Sequence, residues 1–331
     1  MTKHLKIIGA GLAGLIAAHH FRGAYVYEAG ERKEGHKALL RFRTDEVSRI
    51  VGVPFKAVTV DKGIYYKGEL HDRCNVQLAN QYAIKVTGRV AGRSIWSLDR
   101  VTRYIAPEDL YERLVGKLVG EHRLHFNAPV EGVNEWEKHE RDTINTAPLP
   151  VILKACGMDV PALNFDKAPI DVLRYRIPGC DVYQTLYFPA NDLRTFRASI
   201  TGDLLIIEMM TGDHPPHEFV WAHRSATEEL FYVAEAFGLQ DIVDSFECLG
   251  SVEQQYGKII SLPDEHRHAI LYELTQRFGI YSIGRFATWR NLLLDDVAQD
   301  LRVVERLIHA SNYEKLHIAS SLVVAPAPKQ F

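Results

Sequence analysis

Gly9, Gly11 and Gly14 stand in Lys6-Ile7-Ile8-Gly9-Ala10-Gly11-Leu12-Ala13-Gly14-Leu15-Ile16-Ala17-Ala18, a GxGxxG between a short apolar run and a helix-forming segment. Gly9 permits a tight turn, and Gly11 lets a pyrophosphate approach the backbone at the helix N-terminus. Gly14 lets helix and strand pack closely. Ala10, Leu12 and Ala13 complete that stretch of backbone N–H groups. The partner is a carboxylate: Glu28 ends Ala24-Tyr25-Val26-Tyr27, 19 residues after Gly9. There it can accept hydrogen bonds from a ribose 2′-hydroxyl and repel a 2′-phosphate. Strand, turn, helix, strand and acid in this order predict a dinucleotide site.

Other elements must position that site. Pro107 to Leu118 has apolar residues at helical spacing with Pro in the first turn. Leu124-His125-Phe126, Ala128-Pro129-Val130 and Asp142 to Pro148 read as extended segments and a turn. Ile280-Tyr281-Ser282-Ile283 leads into Gly284-Arg285, and an amphipathic helix follows with Val297, Leu301, Val304 and Ile308 on one face. Asp295 and Asp296 at its start suit capping and the positive dipole end. Between these pieces lie strand-rich stretches. Residues 61–98 include Gly63-Ile64-Tyr65-Tyr66 and Tyr82-Ala83-Ile84-Lys85-Val86. Residues 170–210 include Val172 to Arg176, Val182 to Tyr187, and Phe196 to Met210 broken by Gly202-Asp203. A helix bearing Leu230, Val233, Ala234 and Phe237 comes next.

The 331 residues suffice for two domains, and 47% hydrophobic content excludes a disordered chain. No apolar run reaches the ~20 residues of a membrane span, and no signal segment precedes Leu5. A cytoplasmic location is therefore expected. Cys74, Cys156, Cys180 and Cys248 are far apart and, like the histidines, lack metal-type spacing, so no metal is expected. With 39 basic against 42 acidic side chains, net charge points away from strong nonspecific DNA binding, leaving only a local basic groove.

The segment after Glu28, Ala29-Gly30-Glu31-Arg32-Lys33-Glu34-Gly35-His36, resembles the extended fingerprint of FAD enzymes of the glutathione-reductase structural class; Glu34 stands where the first glycine of a pair would be. Gly284-Arg285 and Leu294-Asp295-Asp296-Val297 resemble the C-terminal FAD motif of UDP-galactopyranose mutase, protoporphyrinogen oxidase and the flavin amine oxidases. The resemblance implies an α/β fold: a Rossmann-like FAD-binding domain (1–60, 105–160, 251–325) and a discontinuous, mainly antiparallel β-sheet substrate domain (61–104, 161–250) over the flavin, with a tail at 326–331. It implies noncovalent FAD at Gly9 to Gly14, Glu28, Ala29, Gly35 and His36, Val130 beside the adenine, and Thr146 at the re-entrant turn. Gly284 and Arg285 would lie near the pyrophosphate, with backbone of 294–297 at the flavin.

On the substrate side the resemblance implies catalytic candidates. Arg197 would anchor a carboxylate or phosphate. Lys258 would hold a water near flavin N5, and Trp289, with Tyr256, would form aromatic walls. Arg174, Arg176 and Arg194 are further candidates, the first two on one strand face by period two. Oxidation next to nitrogen by hydride transfer to N5 competes with a mutase reaction at reduced flavin and with a non-catalytic flavin-binding protein. The mutase family's Gly-Pro-His-x-Phe-His stretch is kept only as Phe42 and Thr44 within Lys37 to Thr44, which favours the oxidase. The expected substrate is a small-molecule amine. Compact superfamily members in bacteriophage genomes, some linked to hypermodified thymine in DNA, extend this to an amino acid attached through nitrogen to the base.

Overall fold

A computed structural model describes residues 5–31, 40–90, 95–133, 142–158, 163–211, 225–259 and 261–309. The chain forms two compact units. Unit one comprises Met1–Lys56, Tyr104–Asp166 and Ile259–Gln330, and unit two Ala57–Arg103 and Lys167–Lys258.

Unit one is built on a five-stranded parallel sheet. Its strands are β1 (Lys6–Ile8), β2 (Tyr25–Tyr27), β7 (Leu124–His125), β8 (Thr143–Asn145) and β14 (Ile280–Ser282), in the order β14-β8-β1-β2-β7. Ile7 is in register with Val26 on one side and Ile144 on the other, and Ile144 also with Tyr281. The chain leaves β1 toward β2 and returns on the opposite side at β8. The crevice beyond the carboxyl ends of β1 and β8 is thus the switch point where open α/β sheets bind ligands.

Helix α1 (Leu12–His20) is apolar nearly all round because it is covered on several sides. It packs against α2 (Glu46–Val51), α4 (Leu110–Gly120) and α8 (Leu294–His309). Leu15 and Ile16 are fully buried, each stabilising the unit by about 1.5–3 kcal/mol relative to exposure. The amphipathic face of α8 buries Val297, Leu301 and Val304 in the same core. A short strand β3 (Arg41–Phe42) pairs antiparallel with Tyr104 and Ile105. Helices α5 (Leu149–Ala155) and α7 (Asp264–Phe278) complete the unit.

Unit two carries a mixed sheet in the order β13-β9-β12-β11-β10-β4-β6. Its strands are β4 (Lys56–Tyr66), β6 (Val101–Ile105), β9 (Lys167–Arg176), β10 (Val182–Tyr187), β11 (Thr195–Gly202), β12 (Leu204–Met210) and β13 (Glu247–Ile259), with β5 (Glu69–His71) beside β4. Strands β9 to β12 pair antiparallel, and β10 pairs parallel with β4. Gly202 turns the β11–β12 hairpin at φ +66°, a left-handed position that favours glycine. Helix α6 (Ala226–Ala236) opens with a capping box between Ser225 and Glu228. Buried Val233 and Ala234 pack on the face that carries Leu186, Ala198, Leu205 and Ile207.

Two expectations are corrected. Tyr82 to Val86 is not a strand but part of helix α3 (Val76–Thr87). The Asn75 side chain caps the Leu78 N–H at 2.9 Å, and Gly88 closes the helix in the left-handed conformation. Leu78, Tyr82, Lys85 and Val86 form a helical, not alternating, buried face. Ala128 to Val130, read as extended, lies in a loop after β7.

Candidate dinucleotide site

The turn after β1 has the geometry its glycines predict. Gly9 adopts φ +96°. A Cβ on Gly14 would lie 2.0 Å from Gly9 O and 2.9 Å from Thr146 Oγ1, whereas one on Gly11 would meet nothing within 4 Å. Gly14 therefore serves packing, and Gly11 leaves the approach to the helix open. Gly11 is the N-cap of α1 and makes no side-chain cap, so the N–H groups of its first turn, from Leu12 to Gly14, are available to an anion.

Glu28 closes this turn. Its Oε2 accepts from Ala10 N at 2.8 Å and its Oε1 from Gly30 N at 3.0 Å. A carboxylate has about four acceptor positions, so both oxygens retain capacity for ribose hydroxyls. Ala29 is exposed beside it. The loop bearing Val130 runs alongside: Asn127 N donates to Gly30 O at 3.0 Å and Ala128 N to Glu28 O at 2.9 Å. Val130 itself is half-buried. Gly35 and His36 lie outside the described residues.

Thr146, at the carboxyl end of β8, ties the two central strands together. Its Oγ1 donates to Ile8 O (2.8 Å) or Gly9 O (3.1 Å), and its backbone N–H to Ile8 O. Gly284, at φ +84°, comes so near α1 that an added Cβ would lie 3.0 Å from Ala13 Cβ. The distal Gly-Arg pair thus meets the N-terminal glycine turn. Arg285 is half-buried, with its guanidinium 5.6 Å from the Phe286 ring centroid.

The start of α8 is held by residues that the sequence reading did not assign to the site. Buried Asp295 accepts through Oδ1 from Arg43 N (2.9 Å) and Thr44 N (3.1 Å), and the Arg43 guanidinium pairs with Asp296. Asp296 Oδ2 also accepts from Leu293 N at 2.7 Å, a reach-back cap. The acids act through these bonds as well as through the dipole. Leu294 is partly buried and Val297 fully so, which leaves backbone as what they can offer a ligand.

The catalytic candidates fall in different places. Trp289 is 1% exposed and edge-on to Phe165 at 5.1 Å, inside unit one, with φ +45°, a strained value for a bulky residue. Lys258 and Tyr256 lie on β13 of unit two, and their side chains are outside the described residues. Arg197 lies on β11 opposite Glu208 of β12, which it grips through both Nε and Nη2, the latter at 2.7 Å. Burial works against the Arg197 charge, but the facing carboxylate and its hydrogen bonds hold the guanidinium protonated far above its ordinary range. Arg176 Nη1 donates to both carboxylate oxygens of Asp203, at 2.9 and 2.8 Å, and Arg194 lies 3.7 Å from Asp171.

A second feature of unit two depends on α3 being a helix, which turns Lys85 inward. Fully buried Lys85 donates from Nζ to Phe188 O (2.9 Å), Ala190 O (2.6 Å) and Thr195 O (2.6 Å). Fully buried Glu229 accepts from Arg194 N and Thr195 N. Together they clamp the β10–β11 connection. Burial pushes the Lys85 ammonium down to about 7, against the pull of Glu229 and Asp192.

These features define the class of fold: a parallel dinucleotide-type α/β unit whose chain is interrupted twice by a second unit with a largely antiparallel sheet. Solved structures share it. UDP-galactopyranose mutase in its reduced form superposes with a TM-score of 0.65 at 14% identity, covering 99% of this chain and 98% of that one. A conjugated-linoleic-acid-producing fatty acid isomerase from P. acnes gives 0.60 at 12%, covering 92% and 98%. HpxO from Klebsiella pneumoniae, solved with FAD and uric acid, gives 0.57 at 12%, covering 94% and 82%. The resemblance to flavin-dependent enzymes is thus met at the level of fold. The chain matches no family model and no curated protein sequence. No helix among the described residues is long and apolar enough to cross a membrane.

Proposed function

We propose that the chain is an FAD-dependent oxidoreductase that oxidises a C–N bond of an amine or amino-acid-type substrate. The observation that carries the cofactor reading is the fit of the β1–β8 crevice. It has an open approach over Gly11, uncapped N–H groups on α1, and Glu28 with spare acceptor capacity at the ribose position. Residues 9–14, Glu28 and Ala29, Val130, Thr146, Gly284, Arg285 and 294–297 would hold FAD noncovalently, with Gly35 and His36 as further candidates from the sequence resemblance. Bound FAD supplies an acceptor for a hydride at N5.

The remaining steps need little from the protein. A neutral amine loses hydride from the carbon next to nitrogen and a proton to solvent, and water hydrolyses the resulting imine to carbonyl compound and amine. No side-chain base is required. Arg197 would anchor an anionic part of the substrate, in competition with Glu208. Trp289 would shape an apolar wall, and Lys258 would hold a water near flavin N5. The finer substrate reading is an amino acid joined through nitrogen to a modified thymine in phage DNA.

A second reading, a non-redox mutase acting on a nucleotide sugar, is favoured by a fold likeness to the mutase over nearly the whole of both chains. The two are separated by a panel of amines, amino acids, nucleotide sugars and modified-base DNA offered anaerobically to oxidised and to pre-reduced protein. The oxidase reading expects an amine or amino acid to reduce the oxidised protein. Isomerisation of a nucleotide sugar by the reduced protein alone would reverse the assignment, and a flavin inert to every compound would favour a non-catalytic flavoprotein.

A further inference from the structure

The C-terminal ends of α1, α2 and α4 in unit one line a cleft of about 500 Å³. The end of α1 lies ~13 Å along the helix axis from the glycine turn, at 1.5 Å per residue. Four cations, Arg22, Arg49, Lys117 and Arg123, line the cleft against one carboxylate, Glu121. His19 forms part of its wall. The ring is 7% exposed, and Nδ1 lies 2.8 Å from Leu15 O. In the tautomer that donates there, Nε2 is an acceptor, and it is buried without a hydrogen-bond partner.

Helix C-termini ordinarily repel anions. Here donors cover the terminal carbonyls. Arg123 donates to Ala18 O (2.6 Å), Phe21 O (2.9 Å) and Ala24 O (2.9 Å). Gly52 N covers Ser48 O, and Glu121 N covers Lys117 O. Arg123 also pairs with Glu121 at 2.8 Å and Arg49 with Asp45 at 3.0 Å. Among the described residues Arg22 and Lys117 have no ion-pair partner within salt-bridge distance, and both are exposed at the cleft.

We propose that this cleft binds a phosphate group, as free phosphate or the phosphomonoester of a small molecule, with Arg22 and Lys117 as charge partners and His19 Nε2 as its inner hydrogen-bonding group. Burial, then Lys117 and Arg123, hold the free ring below its ordinary 6.5, although Leu15 O and Glu121 act the other way. A bound dianion reverses that balance. His19 takes a proton from solvent, and Nε2–H donates to a phosphate oxygen. For an anion that stays doubly charged, such as sulfate, binding therefore tightens as pH falls from 8 toward 6, whereas phosphate takes up a proton of its own in that range, which opposes the gain.

The test uses the protein as purified, titrated with inorganic phosphate, sulfate and glycerophosphate. Calorimetry in two buffers of different ionisation enthalpy counts protons, and nitrogen-edited NMR follows the His19 ring. Sulfate does not titrate in this range, so its pH dependence reports the histidine. One saturable site is expected, with net proton uptake when sulfate binds and less or none when a phosphate binds. Arg22→Gln and Lys117→Gln, both at exposed positions, should each weaken binding by about 3–10-fold. His19→Gln should abolish proton uptake. Tighter glycerophosphate than phosphate supports an ester as the source, and the reverse supports the free ion. No saturable binding at tens of millimolar anion, or binding untouched by both cation variants, overturns the proposal.

Discussion

The α-carbon of Gly14 is so close to Gly9 that a Cβ at position 14 would lie 2.0 Å from the Gly9 carbonyl oxygen. A side chain there must push α1 off the strand end. Gly14→Ala should destabilise unit one by about 1–3 kcal/mol through overpacking and lower FAD retention with it. Gly11→Ala is the contrasting variant, because its Cβ meets nothing within 4 Å. It should leave the urea midpoint nearly unchanged and still weaken FAD binding. Equal effects of the two on stability would contradict this division of roles.

Glu28→Ala should weaken FAD retention more than it alters bound flavin. A charged hydrogen bond to ribose contributes on the order of 1.5–3 kcal/mol, roughly 10–150-fold in affinity. The variant also strips an acceptor from Ala10 N and Gly30 N, so some stability should go with it. Dialysis against FAD-free buffer measures the first effect and urea unfolding the second. Unchanged retention would mean that the strand end does not face the ribose.

The parallel unit was largely readable because each signal there is local. Gly9, Gly11, Gly14 and Glu28 mark a turn, a helix start and a strand end within 23 residues of chain from Lys6 to Glu28. Val297, Leu301 and Val304 repeat with helical spacing, and they are buried together. What could not be read depends on partners far away in the chain. Arg43 and Asp295 meet across 252 positions, and nothing at either end announces the other. Tyr82 to Val86 misled because an apolar run this short suits strand or helix equally, and the deciding Asn75 and Gly88 lie outside it. Arg197 stood out as a charge in an apolar strand, but Glu208 is placed opposite it by the β11–β12 register.

Lys85 makes stability pH-dependent in a definite direction. Its folded value of about 7 lies below the ~10.4 of an unfolded lysine, so between these values the unfolded chain holds the extra proton. Stability should therefore rise with pH through that window, by at most about 1.4 kcal/mol per unit, and level off below 7. Urea unfolding of the protein and Lys85→Met at several pH values isolates the term. A flat difference would mean that the three carbonyls keep Lys85 charged throughout.

Arg197→Ala should raise the half-saturation constant for an anionic substrate by roughly 10–150-fold, at about 1.5–3 kcal/mol for a charge-assisted pair, with FAD still bound. Glu208→Gln frees the same guanidinium and should tighten that substrate. If both variants change only the unfolding midpoint, the pair is a cross-strand strut.

The central claim is hydride transfer from an amine or amino-acid-type substrate to bound FAD, and the anaerobic half-reaction tests it directly. Substrate alone, added without oxygen, should bleach the oxidised flavin band, and air should restore it with release of peroxide if oxygen is the acceptor. A flavin that no amine or amino acid bleaches, in a protein that isomerises a nucleotide sugar once chemically reduced, would contradict the account.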